Sequence, residues 1–399
     1  VGEEKGFRPL TPPSSPPPPN PPPPSPPPLP VVTRGLPFAE PQQLQARNGL
    51  LDTTIAVTMG ALSGGAVELD QMRSYNGSLP GPTLRVSPGD LLRVTIANQL
   101  QPIPHDGEDH HNEENPNKFN TTNLHTHGLH ISSEGNADNI FIDVEPGTAH
   151  TFELPIIEDH TSGTMWYHPH VHGSSTVQMA HGMAGMIIID DTDDAPQELR
   201  EMREAVMVLS HMEYSDTSPY FYSYVLVNGL FQPRMRLAVG EEVRLRLLNT
   251  GVYMNMIIEA EGDCSLTLLA MDGAYLDSPP PVDRVVLPSA GRGDVILSCG
   301  VAGTFNLVLA DSHLLSMPGE EDHLGVLMAL DVNHTPLAIS STTVTSLPPR
   351  PCYMSDIRSS DLPISGTYEL TCENEQLNGQ SGTDAADIRY SFALGELEE

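Results

Sequence analysis

One segment of this chain is written twice, and that repetition limits the fold more than any other feature. Pro82-Thr-Leu-Arg-Val-Ser-Pro-Gly-Asp-Leu-Leu-Arg-Val-Thr-Ile-Ala-Asn98 returns as Pro233-Arg-Met-Arg-Leu-Ala-Val-Gly-Glu-Glu-Val-Arg-Leu-Arg-Leu-Leu-Asn249. The pairs Pro82/Pro233, Arg85/Arg236, Gly89/Gly240, Arg93/Arg244 and Asn98/Asn249 are all separated by the same 151 positions. Solenoids and propellers repeat at roughly 20–50 residues, so a spacing this long signals a duplicated domain. Within the first copy Leu92, Val94 and Ile96 alternate with Arg93 and Thr95, the period-two pattern of a half-buried strand that follows a Pro-Gly-Asp turn. An Asn-Gly pair precedes each copy at Asn76-Gly77 and Asn228-Gly229, and each closes on an apolar run, Gly185–Asp190 and Gly325–Val332. Short β-branched or leucine-rich runs fill the space between, punctuated by Gly, Pro and Asp. The expectation is an all-β chain of two sandwiches or barrels in tandem, with Ala195–Glu204 as the best helical candidate where the copies join.

Outside the copies the composition changes. From Arg8 to about Pro30 the chain is Pro with interspersed Ser and Asn, which favours solvated polyproline II and buries no core. Residues 1–48 are read as a Pro-rich disordered leader, 49–195 and 196–335 as the two domains, and 336–399 as a linker and the truncated start of a third. The 52 acidic and 19 basic residues give a formal charge of −33, which excludes nucleic acid and anionic membrane surfaces as partners. No apolar run approaches the roughly 20 residues of a membrane span. A start at Val1 is expected of a processed, trimmed or partial product. Cys264, Cys299, Cys352 and Cys372 fall in no Cys-x-x-Cys spacing. Cys264 and Cys299 sit in strand-like runs and either pair or stay as buried thiols, and Cys352 and Cys372 bracket the linker they could staple. Asn76-Gly-Ser, Asn120-Thr-Thr and Asn333-His-Thr fit the N-glycosylation pattern and point towards a secreted glycoprotein.

The chemistry lies in His125-Thr-His127 and His168-Pro-His170. Residues two apart on a strand share a face, so each pair delivers two imidazoles to one place. Imidazole binds Cu, Zn, Fe and Ni, and no cysteine lies near enough for a zinc finger. The second copy supplies a control: Gly163-Thr-Met-Trp-Tyr-His-Pro-His170 aligns with Gly303-Thr-Phe-Asn-Leu-Val-Leu-Ala310, placing His168 on Val308 and His170 on Ala310. The strand folds without histidine there, which favours a metal role in copy one and a structural role for copy two. His105, His110 and His111 lie in an acidic insertion read as a solvated loop. His172 is a candidate hydrogen-bonding neighbour of the site, and His181 a polar turn residue. Met202, Met207, Met212, Met254 and Met256 are read as core. A barrel hydrolase would need alternating helices, and a cupin a glutamate closer to His127 than Glu134.

Asn123-Leu-His-Thr-His-Gly-Leu-His130 and Met165-Trp-Tyr-His-Pro-His-Val-His-Gly173, followed by Gly182-Met-Ala-Gly-Met-Ile-Ile-Ile189, resemble the two amino-terminal copper motifs of the multicopper oxidases, the laccase and cuprous oxidase family. The resemblance extends from about Leu50 to Val332 and implies tandem cupredoxin-like Greek-key β-sandwich domains. It implies that His125 ligates a type 2 copper, His127 and His168 one type 3 copper, and His170 the other. Asp138, in Gly135-Asn-Ala-Asp-Asn139, resembles the family's acid that assists proton delivery. The implied partners are O2 and a small reducing substrate, phenolic or a metal ion.

This sequence also departs from the family. Its oxidases draw four more trinuclear ligands and the blue type 1 site from a His-Pro-x-His-Leu-His and a His-Cys-His segment in a third domain, and neither occurs here. Asp387–Leu394 reads like the first strand of such a domain. The chain is therefore expected to carry half a trinuclear site and to need a third domain or another chain to complete it. Alone it should be inactive as an oxidase, and the rival expectation is a copper-poor binding or structural protein of the same fold.

Overall fold

The computed structural model describes residues 35–63, 68–103, 118–215, 221–310, 315, 325–334 and 344–349, and three short strands near the C-terminus. The Pro-rich stretch, the 104–117 insertion with His105, His110 and His111, Cys352 and the 387–394 run lie outside them. The first copy builds β1 (Gln43–Gln45), β2 (Leu50–Ser63), β3 (Glu68–Tyr75), β4 (Thr83–Val86), β5 (Leu91–Asn98), β6 (His125–His127), β7 (Ala149–Pro155), β8 (Gly163–His168), helix α1 (Ser175–Ala180) and β9 (Gly185–Ile189). They form two sheets, ordered β3-β2-β5-β7 and β1-β4-β9-β8-β6. Burial alternates along β5 as its sequence pattern requires, and Leu92, Val94 and Ile96 join Ile55, Phe152, Leu84, Ile187 and Ile189 in one core.

Helix α2 (Gln197–Arg200) leads into the second copy: β10 (Arg203–Ser215), β11 (Phe221–Val227), β12 (Arg234–Ala238), β13 (Glu242–Asn249), β14 (Met256–Ala260), β15 (Cys264–Met271), β16 (Ala274–Tyr275), β17 (Pro281–Val282), β18 (Arg284–Leu287), β19 (Arg292–Cys299), β20 (Gly303–Leu309) and β21 (Val326–Asn333). Its sheets run β11-β10-β13-β19-β15-β16, with β17 beside β15, and β12-β21-β20-β14-β18. The expected helix at 195–204 is only four residues long, because β10 begins at Arg203 and pairs in parallel with β13. Met207, Met212, Met254 and Met256 fill this domain's core. Cys264 and Cys299, opposite each other on β15 and β19, form a disulfide. A separate unit covers 352–399, where β22 (Cys372–Glu373), β23 (Gln376–Leu377) and β24 (Gln380–Ser381) pair antiparallel.

The duplication is visible in the ladders. β2 runs parallel to β5 and antiparallel to β3, as β10 runs parallel to β13 and antiparallel to β11; β4 and β9 pair in parallel like β12 and β21. Repeated residues do repeated jobs. Asn76 Oδ1 accepts the Ala56 N–H and Asn228 Oδ1 the Val208 N–H, each at 2.8 Å. The amide of Asn98 donates to the carbonyls of Asn120 and Val144, and that of Asn249 to those of Met254 and Leu287. Within the region read as leader, residues 35–48 take part in the fold: the segment at Pro37 pairs with Arg234 at the edge of the second domain, then β1 joins β4 of the first. Its backbone satisfies two exposed sheet edges, which sequence composition alone did not register.

The two domains meet along the outer side of β8. Gly163 approaches the Gly273 carbonyl so closely that a Cβ there would sit 2.4 Å from its oxygen. Beside it lies a buried ionic network. Thr164 donates to Asp294 (2.5 Å), which also accepts from Arg244 and Arg246; Glu204 accepts from Arg246 (2.6 Å) and Arg85 (2.5 Å), and Asp191 from Arg244 and Tyr275. Arg244 and Arg246 are fully buried, so each guanidinium depends on these carboxylates.

Candidate metal centre

The two His-x-His segments become neighbours because β6 and β8 pair antiparallel, with His125 opposite His168 and His127 opposite Trp166. Nitrogens of His125, His127 and His168 lie within 4.8 Å of one another, a spacing that one metal ion can span. His170, just past the end of β8, completes the group: its ring is 4.9 Å from that of His125 and 5.8 Å from that of His168. Its backbone N–H donates to Asn123 Oδ1 at 2.6 Å, and the Asn123 amide in turn holds the Ile140 carbonyl. All four predicted histidines are thus brought together.

Hydrogen bonding leaves the right lone pairs free. The Nδ1–H of His168 donates to the Pro169 carbonyl at 3.0 Å, while its Nε2 is buried without a partner among the described residues. A buried acceptor left unpaired is costly, and a metal would satisfy it. Asp138 accepts from His125 Nδ1 at 2.9 Å and from the backbone and hydroxyl of Thr126, so Nε2 of His125 is the free nitrogen. A carboxylate on the far side of an imidazole fixes its tautomer and plane, as at many metal sites. Burial pushes His168 down to about 3. Burial, the Arg292 guanidinium and neighbouring imidazoles push His127 down to about 4. Both rings are therefore neutral at ordinary pH, the form in which an imidazole can bind a metal. The donor set suits copper: imidazole nitrogens, one of them orphaned, with a carboxylate behind another.

Three contributors were not legible as site residues in the sequence. Trp166 stacks on His168 and on His127. Arg292, from the second domain, reaches the first: its Nη2 would lie 2.8 Å from a Cβ at Gly128, whose φ of +96° and Met165 neighbour already demand glycine. Asn123 was quoted only as part of a motif. His172 is exposed, whereas His181 caps α1 and accepts the Arg73 N–H at 3.1 Å. Asn120, read as a glycan acceptor, is buried: its amide donates to the Gln101 carbonyl and its oxygen accepts from Arg73, so a glycan there has no room in this fold. Asn76 and Asn333 are exposed.

Two tandem β-sandwiches with a histidine cluster on paired strands have the cupredoxin-like fold, with imidazoles placed where they could hold a metal ion. The sequence model of the multicopper oxidase family matches residues 112–194, the stretch that holds all four histidines. Multicopper oxidase mco of Staphylococcus haemolyticus is 25% identical over 263 residues, covering 63% of this chain and 54% of that protein. Cell division protein FtsP of Proteus mirabilis is 26% identical over 282 residues, 67% of this chain and 54% of the relative. A Campylobacter jejuni multicopper oxidase described as a metallo-oxidase superposes with a TM-score of 0.61 at 20% identity, covering 84% of this chain and 66% of that one. Residues 112–194 thus match the multicopper oxidase family model, and the chain resembles multicopper oxidases in sequence and in fold; copper is the metal that this resemblance implies. It spans about half the length of the curated relatives it matches. Among the described residues no helix is long and apolar enough to cross a membrane.

Proposed function

We propose that this chain is the part of a multicopper oxidase that holds half of a trinuclear copper centre. Its two β domains would be a first cupredoxin domain over 49–195 and a metal-free second over 196–335, followed by the start of a third. The observation that carries the reading is the convergence of His125, His127, His168 and His170, with the buried Nε2 of His168 unpartnered. His125 would face the type 2 copper, His127 and His168 one type 3 copper, and His170 the other. Bound copper would supply one-electron chemistry that couples oxidation of a phenolic or metal-ion substrate to reduction of O2 to water. The protein's own share is to present neutral imidazoles in fixed tautomers. Asp138 keeps the His125 Nδ1 protonated and, as a half-buried carboxylate beside the cluster, is the acid proposed to assist proton delivery. A third domain or another chain would complete the ligand set. The Cys264–Cys299 disulfide supports an oxidising, secretory setting.

Copper stoichiometry of the purified chain tests this. The expected result is fewer than three tightly bound coppers and no thiolate-to-copper blue band, with binding weakened by His125→Ala or His168→Ala and untouched by changing His110 and His111. Three tightly bound coppers with a blue band would overturn it. A second reading, a copper-poor binding protein, draws on the FtsP relatives, which match a comparable share of the chain. It predicts no copper uptake at all. A His-Cys-His segment encoded downstream of Glu399 would favour the oxidase.

A further inference from the structure

We propose that Trp166 is a positioning residue through which the second domain orders two of the four imidazoles. The inference rests on the reading of the histidines as metal ligands. Residues along β8 alternate between two environments: Met165 and Tyr167 belong to the first domain's core, while Thr164, Trp166 and His168 face the other way, where Thr164 bonds Asp294 of the second domain. Trp166 is only 1% exposed. Its indole lies nearly parallel to His168, at 4.2 Å between centroids and 27°, and to its cross-strand partner His127, at 5.3 Å and 26°. It thus touches one imidazole from each His-x-His pair.

On its remaining sides Trp166 belongs to a small buried cluster, distinct from either domain core. The cluster contains Ala184, Met186 and Ile188 of the first domain and Val206, Val208 and Leu248 of the second. Among the described residues the indole Nε1 has no hydrogen-bond partner. Nothing directional therefore fixes the ring, and its plane is set by packing, half of which the second domain supplies. An imidazole stacked on a wedged flat ring loses freedom to rotate about its Cβ–Cγ bond, so its metal-binding nitrogen is held in one direction before any metal arrives. His170 lies beyond the strand end, exposed, and is placed through Asn123 instead. This division gives the metal-free second domain a task at the metal site that needs no ligand of its own.

The test titrates the metal-free full chain with Cu(II) and records both affinity and the EPR spectrum. Trp166 is the chain's single tryptophan, so its fluorescence reports binding directly. In the wild type Cu(II) should quench that emission and give one set of EPR parameters. Trp166→Leu should weaken Cu(II) binding roughly tenfold, the scale on which supporting groups act at metal sites, and broaden or split the EPR signal; Trp166→Phe, which keeps a flat ring, should recover most of both. Val208→Ala, in the second domain and distant in sequence from the four clustered histidines, should weaken binding severalfold and broaden the spectrum in the same sense. A purely structural role would lower the unfolding midpoint of these variants while leaving affinity and EPR parameters at their wild-type values, and that result overturns the proposal. Loss of binding in His125→Ala beside unchanged binding in Trp166→Leu sinks the positioning role and leaves the ligand reading standing. Absence of Cu(II) binding in the wild type overturns both.

Discussion

β8 and β20 are the same strand in the two copies, and they have opposite fates. Gly163 pairs with Ile189 on the closing strand as Gly303 pairs with Val332. On the other side His125 sits opposite His168 where Glu259 sits opposite Val308, and the next position pairs His127 with Trp166 where Glu261 meets Asn306. By this register the second copy's counterparts of His125, His127, Trp166 and His168 are Glu259, Glu261, Asn306 and Val308. All six residues of β8 are buried, whereas the outward residues of β20, Thr304, Asn306 and Val308, keep partial or full exposure. A strand can hold neutral imidazoles and an indole on its outer face only if something covers that face. In the first copy the second domain does so; the same face of the second copy can stay polar.

The network that secures this cover is the most sensitive point of the comparison. Glu204→Gln would leave Arg246 and Arg85 short of a carboxylate, and breaking a buried pair from one side costs about 3–5 kcal/mol. Burial acts to raise the Glu204 pKa, but Arg246, Arg244 and Arg85 together hold it down at about 2. The stabilisation linked to that shift is complete above the ordinary carboxyl value of 4.5 and is lost as pH falls through about 2. Urea unfolding of wild type and Glu204→Gln should therefore differ most near neutrality and converge in acid. A pH-independent gap would mean that Glu204 acts by shape, not charge.

Next in size is His168→Val, which writes the second copy's residue into the first. Metal affinity should fall roughly 100-fold or more, since even supporting groups are worth 10–100-fold. Stability without metal should change by no more than about 1 kcal/mol, because the lost bond to Pro169 is offset by removal of an unpartnered buried nitrogen. Copper titration and urea unfolding read the two effects separately. A large loss of stability would show that the histidine, unlike Val308, is part of the fold.

The sequence was informative where a pattern maps onto one local geometry. The 151-residue repeat foretold two β domains with matching ladders, and period two placed Leu92, Val94 and Ile96 in a core. His125 and His127 were legible because residues two apart on a strand share a face, whereas His170 lies past the end of β8 and joins the group without that rule. What remained hidden depends on contacts between distant segments. Nothing in the spacing of 125–127 and 166–168 says that β6 and β8 are neighbours or which residue opposes which. Arg292 lies far along the chain from Gly128, and Asn120 looked like an exposed acceptor until its hydrogen bonds to Arg73 and Gln101 were visible.

Where the copies agree, substitutions should agree too. Asn98 donates to two carbonyls, at 2.7 and 2.8 Å, and accepts the Leu100 N–H; Asn249 donates to three, at 2.7, 3.0 and 3.1 Å, and accepts the Gly251 N–H. Both are buried. Asn98→Ala and Asn249→Ala should each cost about 2 kcal/mol, mostly through the backbone groups left unpaired, in thermal or chemical unfolding. Clearly unequal costs would mean that one copy has acquired a substitute for this anchor.

The smallest effect should come from Glu261→Gln, at the register position that His127 occupies in the first copy. Asn306 donates to Glu261 there at 2.8 Å on an exposed surface, a polar cross-strand pair in place of the Trp166–His127 stack. Glutamine keeps an acceptor for that amide, and water reaches both groups, so the change should stay within about 0.5 kcal/mol. It should also leave Cu(II) affinity untouched, because among the described residues the second copy's outer strand face carries neither imidazoles nor a covering domain. A measurable change in copper binding would show that the copies communicate through more than the β8 interface, and would turn Glu259 and Glu261 from surface residues into part of the metal site.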